Sequence, residues 1–285
     1  MKTEVLNIEI DCLKREGLEK ELRASLTGKR LVKIGKINTE FLLRSIRLDE
    51  FAEAISKFDI KIADGSGVLW AAKYLSLPLT SVPILRQVQA IWQAIYSLLL
   101  IVFKTDYNTS PIPERFPGMQ AFYLMIEAAL DTKSSVYFFG SEVNVLERTI
   151  DKVREKYPDL KISGWHDGYN YDDREMVRDI NRSEAKLLIV ALGSPKQEYW
   201  IRDHADELNA VRIAVGEGGT FDFIAGAHQR APRRMQEAGI EWLWRVFMNR
   251  DKTGGSRLKR VWEAVPVFIY IVVKRKINGK KNSSV

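Results

Sequence analysis

The sequence has few of the residues from which disulfides and metal sites are built. Cys12 is the only cysteine among 285 residues, so neither a disulfide within the chain nor a cysteine-rich zinc site can form. The three histidines, His166, His204 and His228, show none of the short spacings that are typical of metal ligands, such as HxxxH. We therefore expect no metal site.

Long apolar runs are also missing. Residues 84–103 carry one arginine and three glutamines in their first half, so only 94–103 is nearly apolar, about half the length of a bilayer-spanning helix. Residues 265–273 form a shorter run that is followed at once by KRK. Such runs beside basic clusters are typical of segments that lie in the lipid headgroup region. For 84–103 the pattern fits a buried core helix equally well, whereas for 265–273 the interfacial interpretation is favoured over a strand.

The N-terminal segment MKTEVLNIEIDCLKREG lacks the apolar core of a signal peptide, which predicts a cytoplasmic protein. Positive charge is concentrated at the other end. Residues 250–285 have a net charge of +8 and residues 1–249 a net charge of −1, which together give the net charge of +7 for the chain. The asymmetry suggests a polyanionic partner, and a solvated chain end is the simpler alternative. Because the basic excess lies beside an apolar run rather than among aromatic residues on one surface, we expect no nucleic acid.

Apolar strands alternate with amphipathic helices along most of the chain. The strand candidates are 30–34, 59–63, 135–139, 161–165, 187–191 and 212–215, and the helix candidates are 40–58, 67–75, 119–129, 143–156, 172–183 and 196–209. This alternation predicts an α/β domain with a largely parallel sheet flanked by helices. Residues 104–117 contain three of the nine prolines and read as an irregular loop. Together with 84–103 they are expected to form a flap.

The chain contains neither GxGxxG nor GxxxxGKS, so neither a dinucleotide-binding fold nor an NTPase loop is indicated. Glycine turns nonetheless follow several predicted strands, and ligands of open α/β sheets bind there. Asp64, in the sequence DGSG, is either a general base or the N-cap of the next helix. Gly140 and Ser141 open another helix, where free backbone N–H groups favour phosphate.

Two later turns are richer in polar residues. The sequence LGSPKQE places Lys196, Gln197 and Glu198 in the first turn of a helix, where they can bind a nucleotide or simply cap the helix. The sequence GEGGTFD has three glycines in four positions, which permits close backbone approach. Several arginines follow, and guanidinium groups suit diphosphate oxygens. A surface salt bridge is the simpler alternative for any single arginine.

The motifs IADGSGV, YFFG, ALGSPKQE, GEGGTFD, RAP and EWLWR occur in this order. Together they resemble the WecG/TagA/CpsF glycosyltransferases of bacterial surface polysaccharide and teichoic acid synthesis, over residues 30–260. The resemblance implies a Rossmann-like domain with a C-terminal appendage that covers the site and helps to bind the membrane. We expect the catalytic domain at 1–235, with an apolar insertion at 83–113, and the basic appendage at 236–285.

The resemblance also implies an activity and a set of roles. Members transfer N-acetylmannosamine or a related sugar from UDP, with inversion and without a metal or cofactor, to an acceptor linked to undecaprenyl diphosphate. Asp64 would be the general base, with Asn38 and Thr39 beside it. The residues implied in donor binding are Gly140, Ser141, Gly193, Pro195, Lys196, Gln197, Glu198, Gly218, Gly219 and Asp222. Those implied in stabilising the leaving diphosphate are Arg115, Arg230, Arg233 and Arg245.

Two positions depart from the family pattern. Gln120 stands where the family has an aspartate, and Gly140-Ser141 replaces a glycine pair, so the exact sugar is left open, as is a homo-oligomer. The expected location is the inner face of the cell membrane, as a peripheral protein.

The rival functions are a UDP-sugar-modifying enzyme, which would need a dinucleotide fingerprint or a second acid/base pair, and a nucleic-acid-binding protein.

Overall fold

A computed structural model describes residues 1–103, 109–227, 232 and 256–279, with only the backbone of 101–103 and 256–264. Its sheet strands are β3 (Val32–Ile37), β4 (Ile60–Ala63), β5 (Val136–Gly140), β6 (Ile162–His166), β7 (Leu187–Ala191) and β8 (Ile213–Gly216). They pair in parallel in the order β4-β3-β8-β7-β5-β6. The predicted α/β fold with a parallel sheet is confirmed.

An antiparallel hairpin precedes the sheet and was not predicted. It consists of β1 (Lys2–Val5) and β2 (Ile8–Asp11), with Leu6 in the left-handed region at φ 58°. Four residues a strand are too few for a clear alternation of apolar and polar side chains. The backbone N–H of Lys61 donates to the Asp11 carboxylate at 2.9 Å, so the hairpin is held against β4.

Helices connect the strands and cover both faces of the sheet. They are α1 (Arg15–Leu26), α2 (Thr39–Arg47), α3 (Asp49–Ser56), α4 (Ser66–Ser76), α5 (Pro83–Phe103), α6 (Gly118–Asp131), α7 (Val143–Lys156), α8 (Asp173–Arg182), α9 (Lys196–His204), α10 (Thr220–Ile224) and α11 (Ser256–Asn278). A 3₁₀ turn at Ala205–Glu207 follows α9. The predicted helix 40–58 is two helices, because Leu48 is extended between α2 and α3.

Two hydrophobic cores lie on opposite faces of the sheet. One is formed with α1, α6, α7 and α10, and the other with α2, α3, α4, α8 and α9. Successive residues of a strand point to opposite faces, so Phe138 of β5 enters the first core and Phe139 the second. Burial on both faces explains why the strands are continuous apolar runs rather than alternating ones.

The two short apolar runs lie in helices at the edge of this second core. Residues 84–103 fall in α5, which packs against α4 but leaves one face exposed, so the interpretation as a buried core helix is wrong. Residues 265–273 fall in α11, so the alternative of a strand is wrong. Phe268 and Val272 of α11 are buried, and the helix packs against α2, α4 and α5.

The predicted division at residue 235 stays a prediction, because residues 228–231 and 233–255 lie outside those described. The same holds for the flap, of which 104–108 are outside, while Ile112 and Phe116 after them are buried. Within the described part of the chain, none of the helices combines the length and the apolar character that crossing a bilayer requires.

Candidate active site

The turns that the sequence singled out meet at one edge of the sheet, because parallel strands all end on the same side. Ile37 of β3 pairs with Ala63 of β4, so the next residues, Asn38 and Asp64, lie side by side. The turns after β5, β7 and β8 are brought together by register in the same way. Ligands of open α/β sheets bind at this carboxyl edge.

Asp64 is half-buried at the end of β4, and its backbone N–H donates to the carbonyl of Ile37 at 2.8 Å. The N-cap residue of α4 is Gly65, without a side-chain cap, so the interpretation of Asp64 as the N-cap is wrong. Asn38 does cap a helix, since its Oδ1 accepts from the N–H of Phe41 at 3.1 Å and so starts α2. The Asp64 carboxylate is therefore not committed to a helix end.

Thr39 completes this cluster through a close approach of two helix starts. A Cβ added to Gly67 would lie 2.5 Å from Thr39 Cγ2, and one added to Gly65 would lie 3.8 Å from Asn38 Cβ. Glycine at position 67 is thus required by the contact between the first turns of α2 and α4. The structure brings Asp64, Asn38 and Thr39 together, as expected.

A buried ion pair that the sequence analysis missed lies behind this cluster. The ammonium of Lys36, in β3, donates to the Glu217 carboxylate just after β8, and the two side chains are 8% and 0% exposed. Burial raises the pKa of Glu217, the neighbouring Lys36 opposes this rise, and the charge of Asp64 adds to it. Asp64 and Glu217 therefore interact electrostatically. The available signal was a lysine one residue before the end of the strand VKIGKI.

Gln197 and Glu198 do not line the surface of the site. Both are buried, and the Gln197 amide donates to the Glu198 carboxylate at 2.7 Å, while its Oε1 accepts from the N–H of Gly218 at 3.0 Å. These contacts connect the turn after β7 to the turn after β8. Burial raises the pKa of Glu198. Both side chains thus position the glycine turns.

The residues around them are more accessible. Gly193 has a φ of 77° and a Cβ there would face open space, while Lys196 is exposed with its Nζ 4.9 Å from the ring centre of Tyr171. The intervening peptide bond Ser194–Pro195 is cis. Arg44 of α2 donates to Ser194 Oγ at 2.7 Å, so the α2 end of the site contacts this turn directly.

The turn after β5 needs its glycine. Gly140 has a φ of 115°, and a Cβ there would lie 2.5 Å from the carbonyl carbon of Ala191. Ser141 is also left-handed, at φ 67°, and its carbonyl accepts from the N–H of Gly168 at 2.9 Å. The loop after β6 is thereby placed beside the site. Its Tyr171 packs edge-on against Phe139, a contribution that sequence reasoning missed because the loop has no motif.

The turn after β8 closes the arrangement. A Cβ on Gly218 would lie 3.6 Å from the Cα of Gly193, whereas one on Gly219 would meet nothing within 4 Å. Asp222 lies in α10 and is half-buried. Among the described residues, no group of three or more His, Cys, Asp or Glu side chains is placed to hold a metal ion.

Comparison with known families identifies the group to which this arrangement belongs. The model of the glycosyl transferase WecG/TagA/CpsF family matches residues 3–98 and 98–282. The chain belongs to this family. The resemblance carried by the motifs is therefore confirmed, and the match extends beyond the 30–260 over which the motifs occur.

Similar proteins share one name, N-acetylglucosaminyldiphosphoundecaprenol N-acetyl-beta-D-mannosaminyltransferase. One from Bacillus spizizenii is 31% identical over 174 residues, which are 61% of this chain and 65% of the relative. One from Bacillus subtilis is 28% identical over 180 residues, 63% and 68% of the two chains. One from Staphylococcus aureus strain MW2 is 29% identical over 171 residues, 60% and 65%. The chain thus spans just under two thirds of the first and third relatives.

The arginines implied by the family are only partly placed. Arg115 is half-buried next to Phe116, whose N–H donates to the carbonyl of Ala63 at 2.7 Å, so this segment lies beside the end of β4. Arg230, Arg233 and Arg245 lie outside the described residues. Their role stays a prediction.

Proposed function

We propose that the protein is an inverting, metal-independent glycosyltransferase that moves N-acetylmannosamine or a similar sugar from a UDP-sugar to a polyprenyl-diphosphate-linked acceptor. The observation that carries the proposal is the half-buried Asp64 beside Asn38 and Thr39, at the sheet edge where the glycine turns converge. Family membership and the names of the relatives support it. The reaction would serve surface polysaccharide or teichoic acid synthesis at the inner face of the membrane.

In the reaction, Asp64 accepts the proton of the acceptor hydroxyl as that oxygen attacks the anomeric carbon of the donor. The new C–O bond forms on the face opposite UDP, and the bond from the anomeric carbon to the diphosphate oxygen breaks. UDP leaves with the bonding electrons, and the configuration at the carbon is inverted. Asn38 and Thr39 hold the acceptor hydroxyl near the carboxylate.

The donor lies across the glycine turns. Gly193 and Gly219 offer open space at the two turns after β7 and β8, where the backbone can approach a diphosphate closely. Lys196 is the exposed cation of the same edge, and Tyr171 offers an aromatic surface beside it. Arg115 and the arginines of the segment after residue 227 offset the charge of the leaving diphosphate, in place of a divalent ion.

The replacement of Asp64 by asparagine tests the proposal. Asp64→Asn keeps the size of the side chain but removes the base, so turnover should fall by about 10²–10⁴-fold, the usual contribution of a general base. The affinity for UDP should stay the same, because the donor turns are unchanged. Turnover is measured by UDP release at saturating acceptor, and UDP affinity by calorimetry.

Asp59→Asn is the matched control, because Asp59 is a half-buried carboxylate at the amino end of the same strand, β4, at the edge of the sheet opposite Asp64. It should keep turnover within a few fold. Near-normal turnover of Asp64→Asn with saturating acceptor would make Asp64 structural and end the proposed mechanism.

A further inference from the structure

Helix α5 exposes its large side chains. Eight large apolar residues between 84 and 99 are each more than half exposed, among them Leu85, Val88, Trp92, Ile95 and Leu99. At 100° a residue they span about 140° of the helix circumference, and so form one continuous stripe. A helix on the surface of a globular protein normally turns such a stripe toward the core. We call it the α5 stripe.

The opposite face of α5 packs through small residues. Ala90, Ala94 and Ser97 are buried against α4, where the Trp70 indole donates to Ser97 Oγ at 2.9 Å and the Tyr74 hydroxyl donates to the Ala90 carbonyl at 2.9 Å. These bonds fix the rotation of the helix about its axis. The stripe is therefore held outward and cannot turn inward without breaking both bonds.

The same two hydrogen bonds show in which direction the stripe runs. The earlier α4 residue, Trp70, meets the later α5 residue, and Tyr74 meets the earlier one, so the helices are antiparallel. The end of the stripe at Leu99 lies toward the start of α4, which begins two residues after Asp64. The stripe thus points to the end of the sheet that carries the candidate active site.

Positive charge gathers at the other end of the stripe. A cavity of about 530 Å³ between α4, α11 and the hairpin is lined by leucines and by three cations, Arg86, Arg275 and Lys276. Arg86 belongs to α5, and its Nε is buried without a hydrogen-bond partner in the described part of the chain. Glu4 is the acidic residue of the lining and pairs with Arg275 at 3.7 Å.

We infer that the α5 stripe is the surface on which the protein lies on an anionic lipid bilayer. The cations of the cavity lie on the side of α5 away from the stripe, at the level that the phosphate headgroups occupy around a helix buried in the bilayer surface. An in-plane helix of 21 residues is about 31 Å long, and it would bury its apolar side chains at the boundary of headgroups and acyl chains. The apolar run of α11 serves a different purpose, since its Phe268 and Val272 are inside the core.

Charge favours a bilayer over a second copy of the chain as the occupant. Arg86 lies about 150° around the helix from the centre of the stripe. A second copy seated on the stripe would therefore leave the excess positive charge of the cavity without a counter-charge, whereas the headgroups that surround a helix buried in the bilayer surface would neutralise it. The direction of the stripe toward Asp64 further suits an acceptor whose lipid stays in the bilayer. The link between the stripe and Asp64 rests on the proposed function, whereas the binding of the bilayer does not.

The test compares two leucine substitutions in the full chain. Leu99 is 54% exposed on the stripe, and Leu48 is 48% exposed between α2 and α3. Leu99→Glu should weaken partition onto vesicles of phosphatidylcholine and phosphatidylglycerol by roughly tenfold or more, because a charge replaces a buried leucine. Leu48→Glu should bind like the unchanged protein. Binding is measured by co-sedimentation, without any sugar transfer.

A second substitution tests the contribution of the cationic cavity. Arg86→Gln should reduce the preference for anionic over purely phosphatidylcholine vesicles by roughly fivefold, the usual effect of one basic residue near a charged surface. UDP release with a short-chain, water-soluble acceptor should be unchanged in Leu99→Glu, which shows that the variant is folded. If the unchanged protein transfers no sugar, the proposed function is wrong, but the result on vesicle binding still stands.

Two outcomes would overturn the inference. If Leu99→Glu binds vesicles as tightly as Leu48→Glu does, the stripe does not contact lipid. If Leu99→Glu instead halves the molar mass in light scattering and leaves vesicle binding unchanged, the occupant is a second copy of the chain.

Discussion

At the scale of single residues, the buried pair of Lys36 and Glu217 is the least ordinary feature of the site. Removing two charges from water costs several kcal/mol for each ion, and their attraction repays this cost only in a well-made pair. The pair connects β3 to the turn after β8, so it fixes the position of Asn38 on one side and of Gly218 on the other. It also places a positive charge behind Asp64.

Removing one partner of this pair should lower the stability of the folded protein. Glu217→Gln leaves the Lys36 ammonium buried without a counter-ion, so the free energy of unfolding should fall by about 3 kcal/mol. The double variant Lys36→Met/Glu217→Gln removes both charges and should recover most of the loss. Urea titration at neutral pH measures both values. A loss below about 1 kcal/mol in the single variant would mean that Glu217 is already uncharged.

At the scale of elements, α11 packs against the α/β domain through its buried residues Phe268 and Val272. Phe268 lies 6.1 Å from Trp70 of α4, ring centre to ring centre, and the Lys276 ammonium donates to the carbonyl of Tyr74 at the other end of α4. The Tyr74 ring lies 4.2 Å from the same ammonium. The C-terminal helix therefore stiffens the helix whose first turn adjoins Asp64.

The lysine in this contact predicts a pH dependence. Burial lowers the pKa of Lys276 from 10.5 to about 8, so between these values the unfolded chain binds more protons than the folded one. The stability of the unchanged protein relative to Lys276→Met should therefore rise as pH increases from 8 toward 10, and be flat below pH 8. Thermal unfolding of both proteins across this range checks it. A difference that stays constant would contradict the buried lysine.

Elements with long apolar runs were predictable, and the short ones were not. The strands β5 and β7 agree with prediction to within a residue, because five consecutive apolar or small residues buried on both faces leave little choice. The break at Leu48 and the hairpin at the N-terminus were missed. Both depend on backbone angles at one or two positions, which the apolar pattern does not record.

At the scale of the molecule, the proposed chemistry needs positive charge at the leaving diphosphate without a metal. Treatment with EDTA should leave the rate of UDP release unchanged, because arginines would do the work that a divalent ion does in other enzymes. The assay compares protein treated with EDTA before and after Mg²⁺ or Mn²⁺ is added back. Activity that disappears with EDTA and returns with either ion would overturn this part of the proposal.

The sequence by itself determined the fold class, the family and the positions of the glycine turns, because apolar runs and glycines act locally on the backbone. Only the tertiary structure decided which side chains are buried and which are accessible at the carboxyl edge of the sheet. Gln197 and Glu198 follow a glycine turn in the chain but are buried, while Arg44 and Tyr171 contact residues of the site from elements without a motif. The α5 stripe is of the same kind. Its apolar period predicts a helix, but the contacts of Ala90 and Ser97 with α4 decide that it faces outward.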